Sequence, residues 1–133
     1  EISACLVGSE MCIRDRNAYH TVVGGIVEVP GLDGVRAEST SHAFRRISIQ
    51  GLEVEGGTSA FALRCIVSGS GSFIGCAAEM RVIGGTAATG ADNWLLTMRG
   101  NFAGTVACLN GSTFQDTSAG ALRHRKGGAW VTL

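Results

Sequence analysis

The stretch LEVEGGTSAFALR, Leu52–Arg64, contains two phrases that return further along the chain. Its first half, LEVEGGT (Leu52–Thr58), is answered by MRVIGGT (Met80–Thr86). Its second half, TSAFALR (Thr58–Arg64), returns as TSAGALR (Thr117–Arg123), with Gly120 in place of Phe61. Self-similarity over a few tens of residues marks repeat architectures, in which a unit too small to bury its own apolar face buries it against the next. Within the phrase the pattern has period two. Leu52 and Val54 fall on one face, Glu53 and Glu55 on the other, as in a half-buried strand.

Working outward, the sequence divides into coils of three short strands. RISIQG, LEVEGG and SAFALR make the first; FIGC, MRVIGG and NWLLTMR the second; VACL, STFQD and SAGALR the third, after which AWVTL begins a fourth. The matching positions Ile47, Ile74, Val106 and Val131 are 27, 32 and 25 residues apart. The expected fold is therefore all-β, a right-handed parallel β-helix fragment of about three to four coils. Ile49, Val54, Phe61, Ile74, Val82, Leu96, Val106 and Phe114 are its expected interior. A β-sandwich is the competing architecture, but it gives no reason for TSAFALR to return.

Composition agrees. Twenty Gly against one Pro suits short strands punctuated by corners, because Gly takes positive φ without steric penalty. No apolar run approaches the roughly 20 residues that span a bilayer as a helix, so no transmembrane helix is expected. The first 16 residues stand apart. LVGSEMCIRDR, Leu6–Arg16, back-translates residue after residue into the read-through of a transposase-type sequencing-library adapter, so residues 1–16 are expected to be an artefact, unstructured or non-native, that adds nothing to the core. Residues 17–133 are then one domain, a fragment of a longer protein, and Cys5 and Cys12 carry no chemistry. Without the leader the chain has 9 basic and 8 acidic residues, a balance that disfavours the clustered cations of strong nucleic-acid binding.

The segment GTVACLNGSTFQDTSAGALRHRKGGAWVTL resembles the parallel β-helix repeats of polymorphic outer-membrane and autotransporter passenger proteins. GGIVEVPG, Gly24–Gly31, is similar to the first strand of pectate-lyase-like β-helices, where a Gly-Gly turn leads into a Val-rich strand ending at Pro. The likeness covers most of 22–133 and departs from the repeat where Thr117 replaces the Asn of its Phe-x-x-Asn. It implies an extracellular or cell-surface location.

The residues suggest binding before catalysis. The acids are scattered: Glu53 and Glu55 share a strand face, Asp92 lies in the long turn TAATGADN, and Asp116 follows a strand, where turn chemistry is the common use of Asp. His20, His42 and His124 lack metal-ligand spacing, and no cofactor or metal is expected. Cys65, Cys76 and Cys108 are an odd number; Cys76 and Cys108 occupy matching slots, close enough for a disulfide but more simply read as buried thiols. Arg64, Arg99 and Arg123 each close a third strand, predicting a column of guanidinium groups extended by Arg125 and Lys126. Such a column matches the carboxylates or sulfates of an acidic polysaccharide, although a solvated face, or pairing with Glu55 or Glu79, is its bland alternative. The function expected is a noncatalytic surface scaffold or adhesin-like module. A fragment of a polysaccharide lyase or glycoside hydrolase, and a phage tailspike, are the alternatives; the oligomeric state is open.

Overall fold

The computed structural model describes residues 3–7, 10–14, 20–29, 33–39, 43–56, 61–103, 106–117 and 119–132. They form fourteen strands and, among the described residues, no helix: β1 (Ser3–Val7), β2 (Glu10–Arg14), β3 (His20–Val23), β4 (Ile26–Val29), β5 (Val35–Ser39), β6 (Ala43–Arg45), β7 (Ile47–Gly56), β8 (Phe61–Val67), β9 (Ser72–Ile74), β10 (Cys76–Thr89), β11 (Trp94–Ala103), β12 (Thr113–Asp116), β13 (Ala121–Lys126) and β14 (Ala129–Thr132).

Parallel pairing runs along three lines. In the first, β3 and β4 lie beside the two halves of β7, followed by the start of β10, then β11 and β12. In the second, β2, β5, β8 and the end of β10 succeed one another. The third holds β6 and β9. Antiparallel pairing among the described strands is confined to β1–β2 and to β12–β13–β14. That division speaks against an antiparallel sandwich.

The alternation read from the sequence is what buries the core. Along β11, Trp94, Leu96 and Met98 point inward and are at most 1% exposed, while Leu95, Thr97 and Arg99 point out. Each such burial contributes about 1.5–3 kcal/mol. In the first line Leu52 lies in register with Met80, and Val54 with Val82. LEVEGG and MRVIGG are thus a true repeat, side by side on adjacent strands. Gly100 continues the row beside Val82 because a Cβ there would come within 1.9 Å of the Val82 carbonyl oxygen.

Several expectations need correction. RISIQG and LEVEGG are one strand, β7: Gly51, at φ 66°, makes an irregularity within the strand where a corner was expected, and the register against β10 slips there. NWLLTMR does not share a coil with MRVIGG but lies beside it, Cys76 opposite Trp94 and Arg81 opposite Arg99, because the turn before β11, closed by Trp94 N–H donating to Ala91 O at 3.0 Å, returns the chain to the first line. Trp94 therefore separates Cys76 from Cys108; the Leu109 N–H donates to the Trp94 carbonyl from its other side.

Of the expected interior, Ile49, Val54, Val82, Leu96 and Phe114 are buried, Phe61 and Val106 are half-buried, and Ile74 is 55% exposed. In β9 it is Phe73 that faces inward, its ring 5.3 Å from that of Trp94. TSAGALR is not the structural counterpart of TSAFALR. β8 pairs in parallel with β5 and β10, whereas β13 runs antiparallel between β12 and β14. Thr58–Ala60 lie outside the described residues.

Residues of the adapter-like leader form the β1–β2 hairpin, with Cys5 opposite Cys12 and β2 beside β5. The side chains of residues 1–20 lie outside the described ones, and with them the expectation that this segment adds nothing to the core.

Candidate functional site

The outward side chains of the first line form a surface of mixed polarity. Successive strands bring Glu53, Arg81, Arg99 and Gln115 into one row, since Glu53 is in register with Arg81, Arg81 with Arg99, and Arg99 with Gln115. A second row, two residues earlier, runs Glu79, Thr97, Thr113. Leu122, from β13 beside Gln115, stands at the end of the first row. These rows line an open groove of about 440 Å³.

Arg81 Nη1 lies 3.2 Å from Glu53 Oε1. Among the described residues, Arg99 and Glu79 have neither an ion pair nor a hydrogen bond from their side chains. Adjacent strands are ~4.8 Å apart, so the two outward arginines in register bring two guanidinium groups to one patch of surface, with the Arg99 donors free of any partner among the described residues. An anion is the natural guest of such a pair.

The expected arginine column does not assemble. Arg64 belongs to the second line and is engaged within the protein: its Nε donates to Asp33 Oδ2 at 2.5 Å and its guanidinium lies 4.8 Å from the centre of the Phe61 ring. Asp33 is 8% exposed and also accepts from the Phe61 N–H at 3.1 Å. Arg123 lies on an antiparallel strand, opposite Phe114 and Thr132. Arg125 stacks toward Trp130, 5.7 Å from its ring centre, and its Nε is buried with no hydrogen-bond partner among the described residues. Lys126 is exposed where β13 turns into β14. Of the five basic residues singled out from the sequence, only Arg99 lines the groove.

Arg81 was missed. The doublets Met80-Arg81 and Met98-Arg99 were the available signal: each sets a buried Met beside an outward Arg, and the two coincide in register.

The remaining candidates are accounted for locally. Asp116 accepts from the Ala119 N–H at 3.2 Å, a turn contact. Asp92 is exposed in the turn before β11, and His124 is half-buried on β13. His42 and the His20 side chain lie outside the described residues. Among the described residues, no group of three His, Cys, Asp or Glu side chains is placed to hold a metal ion.

Cys65, Cys76 and Cys108 are in no disulfide and are buried. Burial pushes all three thiols above their ordinary range, Cys65 furthest, with the neighbouring Cys76 adding to the shift. Inert packing is the consequence, since the thiolate is the reactive form.

The chain matches no protein-family profile, no curated protein and no solved structure. No helix among the described residues is long and apolar enough to cross a membrane.

Proposed function

We propose that the chain is part of a right-handed parallel β-solenoid that serves as a noncatalytic secreted or cell-surface scaffold and binds an acidic glycan in the Arg81–Arg99 groove. The solenoid reading rests on the order in which the chain visits its lines of pairing: first, second, third through β4, β5 and β6, then again through β7, β8 and β9. Right-handedness follows from the strong chiral preference of crossovers between parallel strands. The binding reading rests on one observation, the in-register Arg81 and Arg99 on the outward face, with Arg99 unpaired among the described residues.

Binding is favoured over turnover because, of the groove's two acids, Glu53 is engaged by Arg81 and Glu79 stands without it, so no free pair of carboxylates of the kind glycoside hydrolysis uses is present in the groove. Fold alone assigns no activity, so the groove carries this reading. The test is calorimetric titration with oligogalacturonate and heparin fragments. Arg99→Ala is expected to weaken binding about tenfold, with the difference shrinking as salt rises, whereas Arg123→Ala leaves it unchanged. Failure of the intact chain to bind any acidic glycan, or equal binding by Arg99→Ala, overturns the proposal.

A further inference from the structure

The groove is not uniformly basic. It carries two acids, Glu53 and Glu79, and two bases, Arg81 and Arg99. Glu53 and Arg81 neutralise one another at 3.2 Å, which leaves the groove one charge of each sign with no partner among the described residues, Arg99 and Glu79. Their placement is fixed by register. Glu79 lies beside Thr97, and Thr97 is two residues before Arg99 on the same outward face. With strands ~4.8 Å apart and a rise of ~3.3 Å per residue, the two backbones are roughly 8 Å apart on the diagonal.

A polyanion with a carboxylate on every sugar would bring one negative group to Arg99 and another against Glu79. A polycation would bring one positive group to Glu79 and another against Arg99. Both arrangements place like charges together, and such repulsion weakens a ligand relative to one that avoids it. We infer that the groove selects a glycan of alternating charge, with a carboxylate on one sugar facing Arg99 and a free ammonium on its neighbour facing Glu79. Thr97, between the two, and Thr113, its partner in register on β12, offer hydroxyls to the uncharged sugar hydroxyls. This inference rests on the groove being a glycan site, and it adds that the acid groups of the ligand are isolated from one another.

Three probes separate the possibilities: oligogalacturonate, with carboxylates only; chitosan oligosaccharide, with amines only; and an N-deacetylated heparosan oligosaccharide, in which uronate and free-amine glucosamine alternate. The alternating probe is expected to bind the intact chain about tenfold more tightly than either of the others. Glu79→Gln should weaken the alternating probe about fivefold and strengthen oligogalacturonate, while Arg99→Gln weakens both. Glu79 and Arg99 are exposed, so thermal melts of the two variants should overlay that of the parent. Oligogalacturonate binding as tightly as the alternating probe, or an alternating probe indifferent to Glu79→Gln, overturns the charge pattern and leaves the glycan site standing. Indifference of all three probes to Arg99→Gln, or binding of none, overturns both.

Discussion

The sequence Ala-Leu-Arg occurs twice, in β8 and in β13, with opposite outcomes. In β8, Leu63 is fully buried and Arg64 is held by Asp33 beneath the Phe61 ring. In β13, Leu122 is 42% exposed and Arg123 has no ion pair among the described residues. The difference lies in the neighbours. β8 lies between two parallel strands, so one face meets the interior. β13 belongs to an antiparallel end in which the buried contacts come from β12 and β14, with Phe114 and Trp130 packed at 4.5 Å and Trp130 Nε1 donating to Val106 O at 2.9 Å. One tripeptide makes core in the first place and surface in the second, because a strand's inward face is chosen by what covers it.

The most severe way to break this contrast is a charge in the parallel body. Val82 is 1% exposed, between Val54 and Gly100 on the adjacent strands. Val82→Asp should cost several kcal/mol, since an unpaired carboxylate has no partner there. Urea denaturation would show it as a collapse of the midpoint, and a midpoint near that of the parent would mean that this row is not core.

The comparison is sharpened by truncating the two leucines. Leu63→Ala is expected to cost about 2–5 kcal/mol, as for a large core side chain. Leu122→Ala should stay within about 0.5 kcal/mol. Equal effects in paired denaturation curves would mean that the two Ala-Leu-Arg segments play equivalent roles after all.

A smaller effect than that of Leu63 is expected at the corner between β6 and β7. Arg46 takes a positive φ of 74°, and Gly75, at the corner between β9 and β10, takes 65°. The two corners stack, with the Arg46 N–H donating to the Ile74 carbonyl at 3.0 Å. A non-glycine residue in this conformation is strained by roughly 1–2 kcal/mol. Arg46→Gly should therefore raise stability by about 0.5–1 kcal/mol, the looser unfolded chain taking back part of the gain. A lower melting temperature would show instead that the Arg46 side chain contributes more than its backbone costs.

Much of the first line was legible in advance. Leu52 and Val54 inward, Glu53 outward, and the match of LEVEGG to MRVIGG all follow from period two and from repetition, which depend on local spacing alone. Ile74 shows the limit. In Ser72–Ile74 two adjacent apolar residues compete for one inward position, and a strand of three residues is too short for its pattern to decide. Phe73 takes the inside because Trp94 offers it an aromatic partner. The site was half legible: Arg99 was singled out for the wrong neighbours, and Arg81 was overlooked, because which arginines meet depends on which strands pair.

The sequence by itself determined the strand content, the glycine-marked corners, the alternation that separates core from surface, and one real repeat, since these depend on side-chain size, backbone freedom and spacing within a few residues. Only the tertiary structure decided that β11 lies beside β10, that the second Ala-Leu-Arg ends in an antiparallel meander, and that Arg81, Arg99, Glu53 and Glu79 share a groove. Register between strands distant in sequence is set by the burial that many side chains achieve together, so it is absent from any single phrase. The groove's charge pattern is a product of that register.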